Sequence, residues 1–239
     1  MIRALALTLG LLASPALGVT CEDVSFDGLS FSTCTVDPAK ERLELFLYDE
    51  KGAPYGDFTA LEQAYEGRSI PFAMNAGMYH EDRAPVGYFV QDGVEKSRLQ
   101  TGPSDGNFGL LPNGVFCVKF GLAQVYETHV LQAMSSICDY ATQSGPMLVI
   151  NGALHPRFLP DATTRYIRNG VGTPADGSSA VFAISNQAVT FHEFARFFRD
   201  HLGLPNALYF DGNISRLHAP ALGRSDPGRM MGPIVAVIE

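Results

Sequence analysis

Three glycine-containing motifs in the second half of the chain place polar side chains at the ends of apolar runs. They are QSGPMLVING at residues 143–152, RYIRNGVG at residues 165–172 and ALYFDGNIS at residues 207–215. Glycine allows a backbone to approach a ligand closely, and binding residues commonly lie on loops at strand ends. The three motifs together predict one pocket for a small molecule.

Asp211 is the leading candidate for a catalytic group, because it follows the apolar run at residues 208–210 and precedes Gly212. A carboxylate there could act as a nucleophile, as a general base or as an acceptor for sugar hydroxyls. Gly212 and Ser215 are predicted to bind the same ligand. The alternative is that Asp211 and Gly212 form a simple turn.

Positive charge is concentrated just before this motif, although the chain as a whole is acidic. Arg165 and Arg168 lie within the second motif, and a guanidinium group binds phosphate through paired hydrogen bonds. We therefore predict that Arg168 holds an anionic substrate, with Arg165 and the backbone of Gly172 nearby. Structural pairing of these arginines with carboxylates is the alternative.

Several further side chains could complete the pocket. Asn75 and Asn151 each end a predicted strand near a glycine, and an amide both donates and accepts hydrogen bonds, which suits sugar hydroxyls. A turn asparagine in the left-handed conformation is the alternative for each. Glu193 is a second candidate carboxylate and His192 a candidate base, although Glu193 also fits a helix-capping box with Thr190. The remaining substrate-binding candidates are Gly77, Ser144, Gly145 and Gly152.

No cofactor and no metal ion are predicted. The chain has no phosphate-binding loop of the Walker or Rossmann kind, no HExxH motif and no EF-hand pattern. A metal-assisted phosphodiesterase that uses Asp211 with Asp176 or His218 is a weaker alternative. Nucleic acid is excluded as a partner, since the net charge is −8 and no long basic run is present. The oligomeric state is not predicted.

Residues 1–18 have the pattern of a signal peptide. Arg3 supplies the positive charge, an apolar run follows at residues 4–12, and small residues occupy the two key positions before the cleavage site. The apolar run is too short to span a bilayer, so no stable membrane insertion is expected after cleavage. The mature domain, residues 19–239, is predicted to be periplasmic or secreted. An uncleaved anchor and a lipid on Cys21 are the alternatives.

All four cysteines lie after the predicted signal peptide. An even number of cysteines in an exported chain predicts disulfide bonds formed in an oxidising compartment. Three sets of pairings are possible, and we favour Cys21–Cys34 with Cys117–Cys138 because both join residues that are close in sequence.

The pattern of elements predicts an α+β fold in a single domain, with a mixed or mainly antiparallel sheet and a few packed helices. Strand-like runs dominate, and they do not alternate regularly with helices. The predicted hairpin turns are at Asp92-Gly93 and at residues 112–114. The predicted helices span residues 58–65, 130–140 and 191–202.

Five segments resemble motifs of the phosphodiester glycosidase family, and the resemblance extends over residues 72–238. The segments are NAGMY at residues 75–79, QSGP at 143–146, RNGVG at 168–172, VTFHEFA at 189–195 and ALYFDGNIS at 207–215. The family is typified by the lysosomal uncovering enzyme, which removes a sugar from a phosphodiester.

The resemblance implies a hydrolase that cleaves a small-molecule or glycan sugar-1-phosphodiester at the anomeric carbon. Two residues depart from the family pattern, since Ala76 and Asn213 stand where glycines are usual. A non-catalytic binder of envelope glycans or glycan phosphates is therefore the alternative function. The roles assigned are phosphate binding for Arg168, action at the anomeric centre or its water for Asp211, substrate positioning for Asn75 and Asn151, and a reserve carboxylate for Glu193.

Overall fold

The structure is a computed structural model that describes residues 18–134, 138–212 and 214–239. The predicted signal peptide, except for Gly18, lies outside the described residues, and so does Asn213. Within the described ranges, no helix is both long enough and apolar enough to cross a lipid bilayer.

The chain is built mainly from short strands that pair antiparallel. In chain order they are β1 (Thr20–Phe26), β2 (Leu29–Val36), β3 (Leu43–Phe46), β4 (Phe72–Asn75), β5 (Phe89–Gln91), β6 (Val94–Ser97), β7 (Gly114–Lys119), β8 (Leu122–Glu127), β9 (Tyr140–Ser144), β10 (Met147–Ile150), β11 (Ala153–Leu154), β12 (Asn169–Thr173), β13 (Ala180–Ser185), β14 (Asn206–Asp211), β15 (Leu217–Ala219), β16 (Arg224–Ser225) and β17 (Ile234–Val237). They form a seven-stranded sheet, β1-β2-β13-β12-β14-β10-β11, and two five-stranded sheets, β16-β15-β4-β17-β3 and β6-β5-β9-β7-β8. The predicted α+β fold is confirmed.

The helices are short. They are α1 (Phe58–Ala64), α2 (Thr128–Met134) and α3 (Phe191–Arg196), which continues into a π-helical turn at Phe197–His201. Asp57 caps α1, because its carboxylate accepts the N–H of Ala60 at 2.7 Å. The predicted positions of α1 and α3 are confirmed. The helix predicted at residues 130–140 is wrong in extent, because Tyr140 already pairs with β7 as the first residue of β9; residues 135–137 are not among those described.

The hairpin predicted at Asp92-Gly93 is confirmed between β5 and β6, but the one predicted at residues 112–114 is wrong. Asn113 is buried there, and its side chain donates to the Phe108 carbonyl at 3.1 Å. It therefore stabilises a loop instead of a two-stranded turn. The true hairpin joins β7 to β8 through Phe120-Gly121, whose φ angles of 52° and 72° suit a type I′ turn.

Both disulfides have the pairings that the sequence favours. Cys21–Cys34 joins the neighbouring strands β1 and β2, and Cys117–Cys138 joins β7 to the segment before β9. The second bridge spans 21 residues of sequence and ties the sheet that contains β7 to that segment. Closing a loop of this length stabilises a fold by about 3 kcal/mol in the chain-entropy model.

The three sheets enclose one core, and aromatic rings from different sheets meet at its centre. Phe182 lies 4.6 Å from Phe72 and 6.5 Å from Phe210, measured between ring centroids, and all three side chains are fully buried. Full burial of one such side chain stabilises by about 1.5–3 kcal/mol. This packing fixes β4 and β14, whose last residues are Asn75 and Asp211.

Both faces of strand β14 are buried. Successive side chains of a strand point to opposite faces, and those of β14 pack into two different apolar clusters. Leu208 and Phe210 point into the central core, whereas Ala207 and Tyr209 pack in a second apolar cluster with α3. The strand is therefore a rigid support for Asp211, the residue at its end.

Candidate active site

Asp211 is held at the end of β14 through both its backbone and its side chain. Its N–H donates to the side-chain oxygen of Asn169 at 3.2 Å, and its carboxylate accepts the N–H of Gly212 at 2.6 Å. The register of β12 against β14 shifts between Asn169 and Gly170, opposite Asp211. Such an irregularity bends a strand out of the regular ladder, and Asp211 is left half-buried at the end of the sheet.

A buried pair of amides joins the ends of β4 and β12 beneath Asp211. The side-chain nitrogen of Asn169 lies 2.9 Å from the Asn75 carbonyl oxygen and 3.1 Å from the Asn75 side-chain oxygen. That side-chain oxygen also accepts the Arg216 N–H at 2.8 Å, and Ser215 Oγ lies 2.5 Å from the Asp211 carbonyl oxygen. Asn75 is fully buried. Its side chain contacts Asn169 and the Arg216 N–H, so it helps to hold the segment after Asp211, and its predicted contact with a substrate stays a prediction.

Arg168 immediately precedes β12, and only 1% of the residue is exposed. Nε donates to the Val189 carbonyl at 2.9 Å, and Nη2 lies 3.4 Å from the Thr164 carbonyl oxygen. Within the described chain, Nη1 has no hydrogen-bond partner and no carboxylate lies within 4.0 Å of the guanidinium. Burial disfavours the charged form and lowers the pKa of Arg168. A buried cation in this state attracts an anion.

A column of rings holds the Arg168 guanidinium in place. Its Cζ lies 3.6 Å from the ring centroid of Phe191, which stacks on Phe158 at 5.0 Å, and Phe158 stacks on His155 at 4.7 Å. Phe191 is the first residue of α3, so the capping box at Thr190 fixes the ring together with the helix. A cation over an aromatic face gains about 0.5–2 kcal/mol. The stack positions Arg168 without neutralising it.

Tyr209 connects Arg168 to Asp211. Its ring lies in the second apolar cluster, and the Arg168 Cζ lies 5.5 Å from the ring centroid. A Cβ atom on Gly212 would lie 2.4 Å from the Tyr209 hydroxyl oxygen, so this close approach requires glycine. Burial raises the pKa of Tyr209 despite the opposing effects of Arg168 and Asn107, and the hydroxyl remains a donor at neutral pH. We call this cluster, Arg168, Tyr209, Asp211 and Gly212, the Arg168–Asp211 site.

Glu193 is engaged through both carboxylate oxygens. It accepts the Thr190 N–H at 2.8 Å and two hydrogen bonds from Arg165 at 2.7 and 2.8 Å. Burial would raise its pKa, but the Thr190 N–H and the Arg165 guanidinium outweigh burial and hold the pKa below its usual value. These contacts disfavour Glu193 as a reserve carboxylate and Arg165 as a phosphate ligand. His192 is half-buried in the first turn of α3, and its role as a base stays a prediction.

Ser144, Gly145 and Gly77 support the site from behind. The Ser144 hydroxyl donates to the Phe210 carbonyl at 2.8 Å, one residue before the end of β14. A Cβ atom on Gly145 would lie 2.8 Å from a neighbouring side chain, and one on Gly77 would lie 2.6 Å from the Thr142 hydroxyl oxygen. Gly77 also has a φ angle of 113°. Close packing explains both glycines, and their predicted contacts with substrate stay predictions.

Three predicted binding residues lie away from this site. Asn151 and Gly152 form the exposed turn between β10 and β11, with φ angles of 48° and 82°, and the Asn151 N–H donates to the Asn206 side chain at 3.0 Å. Asn206 begins β14, so it lies about 17 Å from Asp211 at about 3.3 Å per strand residue. Gly172 is a packing glycine, because a Cβ there would lie 2.7 Å from two apolar side chains. The structure places all three away from the Arg168–Asp211 site, and their contacts with a substrate stay predictions.

The described residues contain no group of three or more histidine, cysteine, aspartate or glutamate side chains that could hold a metal ion. Asp176 accepts hydrogen bonds within its own turn. The ring nitrogens of His218 face the Ser225 hydroxyl and the Ile70 carbonyl. Neither side chain forms a ligand cluster with Asp211 in the described chain. The geometry therefore gives no support to a metal-assisted phosphodiesterase.

Three residues of the site were not predicted from the sequence. Asn169 directly follows Arg168 in the second motif, and Tyr209 precedes Asp211 by two residues in the third motif. These signals could have identified them. Phe191 could be predicted only as a buried helix residue, because its contact with Arg168 joins elements distant in sequence.

Comparisons with known proteins identify the family of this chain and its fold. A sequence model described as phosphodiester glycosidase matches residues 68–219. The uncharacterized protein YigE of Escherichia coli strain K12 is 34% identical over 217 residues, which cover 90% of this chain and 83% of that protein.

Two solved structures share the fold. The catalytic domain of zebrafish N-acetylglucosamine-1-phosphodiester alpha-N-acetylglucosaminidase, auto-inhibited by its pro-peptide, has a TM-score of 0.60 and 15% identity, covering 93% of this chain and 82% of that one. A hypothetical protein from Synechocystis has a TM-score of 0.56 and 13% identity, covering 92% of this chain and 61% of that one. At these identities the likeness concerns the fold, whereas the sequence matches define the family. The chain belongs to the phosphodiester glycosidase family of hydrolases.

Proposed function

We propose that this protein is a periplasmic or secreted hydrolase that cleaves a sugar-1-phosphodiester at the anomeric carbon, with Arg168 on the phosphate and Asp211 at the reacting centre. Family membership supports the class of reaction. The observation that carries the residue assignment is the buried Arg168 guanidinium, which lacks a carboxylate partner in the described chain.

A phosphodiester supplies the negatively charged partner that the Arg168 guanidinium lacks within the described chain. Burying a charge without a partner is strongly unfavourable, and a ligand of opposite charge offsets that penalty. One phosphate oxygen can accept a hydrogen bond from Nη1 of Arg168, and the Tyr209 hydroxyl beside Gly212 offers a second donor. The site is therefore suited to an anionic sugar derivative more than to a neutral glycoside.

The chemistry follows from the leaving group. Hydrolysis breaks the bond between the anomeric carbon and the bridging phosphate oxygen, and the phosphate monoester leaves with the bonding electrons. Water supplies the new oxygen on the anomeric carbon and gives up one proton. Asp211 is assigned to accept that proton or to stabilise the positive charge that develops on the sugar ring. Arg168 stabilises the negative charge on the departing phosphate.

Export from the cytoplasm is part of the proposal. The two disulfides are of the kind that persists in an oxidising compartment. The pattern at residues 1–18 is that of a signal peptide. Detection of a mature N-terminus near residue 19 in exported protein would support this part of the proposal, and an intact leader on cytoplasmic protein would contradict it.

Product release tests the reaction. The oxidised mature protein is incubated with a panel of sugar-1-phosphodiesters, including nucleotide sugars, and free sugar is measured. We expect release by the wild type and a loss of at least about 100-fold in kcat/KM for Asp211→Asn, the scale of a lost general base. Asparagine keeps the shape of the side chain, so the variant is expected to fold normally.

Asp176→Asn is the matched control, because it makes the same chemical change in an exposed turn. Wild-type turnover in Asp211→Asn would refute the role of Asp211. Binding of panel compounds by the folded wild type without any product would instead favour the glycan-binding alternative.

A further inference from the structure

A cavity of about 610 Å³ opens beside the loop that follows Asp211. Its lining includes Ile167, which precedes Arg168, and Ser215, whose hydroxyl contacts the Asp211 carbonyl. The cavity therefore adjoins both the second and the third motif. Its polar lining has not been assigned to any part of the reaction described above.

Arg216 is the charged side chain of this cavity that has no carboxylate partner among the described residues. The residue is 7% exposed, its Nη1 donates to the Arg229 carbonyl, and no carboxylate of the described chain lies within 4.0 Å of the guanidinium. Asp226 and Asp57 favour its charged form from a greater distance, but burial outweighs them and lowers the pKa of Arg216. A Cβ atom on Gly228 would lie 2.4 Å from the Arg216 Cζ, so bare backbone packs against the guanidinium and fixes it.

The second arginine of the cavity, Arg224, is already neutralised. Its Nε and Nη2 donate to the Asp226 carboxylate at 2.9 and 2.7 Å, and its Nη1 donates to the Asn186 side-chain oxygen at 2.8 Å. These two opposite charges cancel in the lining. Among the charged side chains that line this cavity, Arg216 is therefore in excess. Arg216 also lines a neighbouring cavity together with Asp57.

The backbone of Arg216 is tied to the segment that follows Asp211. Its backbone N–H donates to the Asn75 side-chain oxygen at 2.8 Å, within the amide network that holds Asp211. An anion bound by Arg216 would thus lie beside the loop that carries Asp211. Arg168 approaches the same loop through Tyr209.

We propose that this cavity is a second anion subsite, which binds a negatively charged group of the substrate other than the phosphodiester that is cleaved. The inference rests on the proposed function and narrows the substrate class. Substrates with a second phosphate, such as nucleoside diphosphate sugars, are preferred to those whose phosphodiester carries an uncharged group. Hydrolysis of such a substrate releases the free sugar and a nucleoside diphosphate.

The kinetic test compares one sugar in two forms, as its 1-(methyl phosphodiester) and as its nucleoside diphosphate derivative. We expect Arg216→Gln to raise KM at least about tenfold for the second form, a change of about 1.4 kcal/mol in binding free energy. The first form should keep a kcat/KM within about twofold. Arg199→Gln is the control, because it removes the same charge from an exposed arginine paired with Asp200, and it should change neither value.

Binding of inorganic pyrophosphate, measured by calorimetry, keeps the subsite testable without turnover. We expect the dissociation constant to rise at least about tenfold in Arg216→Gln and also to rise in Asn186→Asp, which adds a carboxylate to the cavity without changing its shape. If Arg216→Gln fails to fold, Asn186→Asp alone tests whether the cavity binds an anion. Absence of turnover of both substrate forms by the wild type would refute the proposed function alone. Equal kinetic losses on both substrate forms, or pyrophosphate binding that neither variant weakens, would overturn the subsite.

Discussion

Replacing Arg168 with methionine distinguishes a ligand-binding arginine from a structural one. A guanidinium that awaits a phosphate destabilises the empty protein, so its removal should not weaken the fold. A guanidinium that holds elements together should weaken the fold when it is removed. Methionine has a similar reach and no charge, and its sulfur packs well against an aromatic ring such as Phe191.

The contacts of Arg168 set the expected magnitude. The variant loses the hydrogen bond from Nε to the Val189 carbonyl, worth about 1.5–3 kcal/mol for a charged donor, and a cation–ring contact worth about 0.5–2 kcal/mol. The Val189 carbonyl still accepts the Tyr166 N–H, so no buried acceptor is stranded. Relief of the desolvated charge opposes these losses. When buried ion pairs are replaced by apolar side chains, the net effect with such losses already included is commonly neutral or stabilising by about 1–4 kcal/mol. We therefore expect the free energy of unfolding to be about 0–4 kcal/mol above that of the wild type.

Urea unfolding of the oxidised protein measures this difference, and 1 kcal/mol corresponds to roughly 2–4 °C in Tm for a domain of this size. Added inorganic phosphate should stabilise the wild type more than Arg168→Met, because one anion site is lost. The kcat/KM should fall by at least about 100-fold. A variant that is destabilised by more than about 2 kcal/mol, and that phosphate stabilises as much as the wild type, would show that Arg168 is structural.

Two further substitutions test residues around the site. Asn151→Gly should leave kcat/KM within about twofold of the wild type, because Asn151 lies in a remote turn at a φ of 48° that glycine adopts readily; a large loss on the same substrate would return Asn151 to the site. Glu193→Gln should lower the free energy of unfolding at pH 7 by about 1 kcal/mol, because it weakens the Arg165 ion pair and the capping box. The folded-state pKa of Glu193 lies below 4.5, so this contribution is complete above about pH 4.5 and is lost as the pH falls through the lowered pKa. Urea unfolding from pH 7 to pH 3 measures it, and a difference that does not shrink would contradict the assignment.

The features that the sequence predicts well depend on neighbouring residues. The capping box at Thr190, the hairpin at Asp92-Gly93 and the N-cap at Asp57 each satisfy backbone groups within a few positions. The disulfide pairings are likewise local. Such patterns carry their physical cause inside the motif, so they need no knowledge of the rest of the fold.

Two motifs of the predicted pocket run along strands, so the structure places their residues at opposite strand ends. Residues 143–152 include β10, so Gly145 lies at one end of that strand and Asn151 at the other. Residues 165–172 include most of β12, which separates Arg168 from Gly172 in the same way. Glycine serves turns and tight packing as well as ligands. Only the pairing of β12 and β14 shows which ends of these strands meet at Asp211.

The ion pairs elsewhere in the molecule show that the two buried arginines are unusual. The five arginines that pair with carboxylates keep 24–52% of their side chains exposed. Arg168 and Arg216 are 1% and 7% exposed, yet neither has such a partner in the described chain. Carboxylates are not scarce, since the chain has 25 acidic and 17 basic residues. Burial without a partner is most unfavourable where the surroundings are driest. Two buried guanidinium groups in this state beside the Asp211 loop therefore support our proposal that the ligand carries two negatively charged groups.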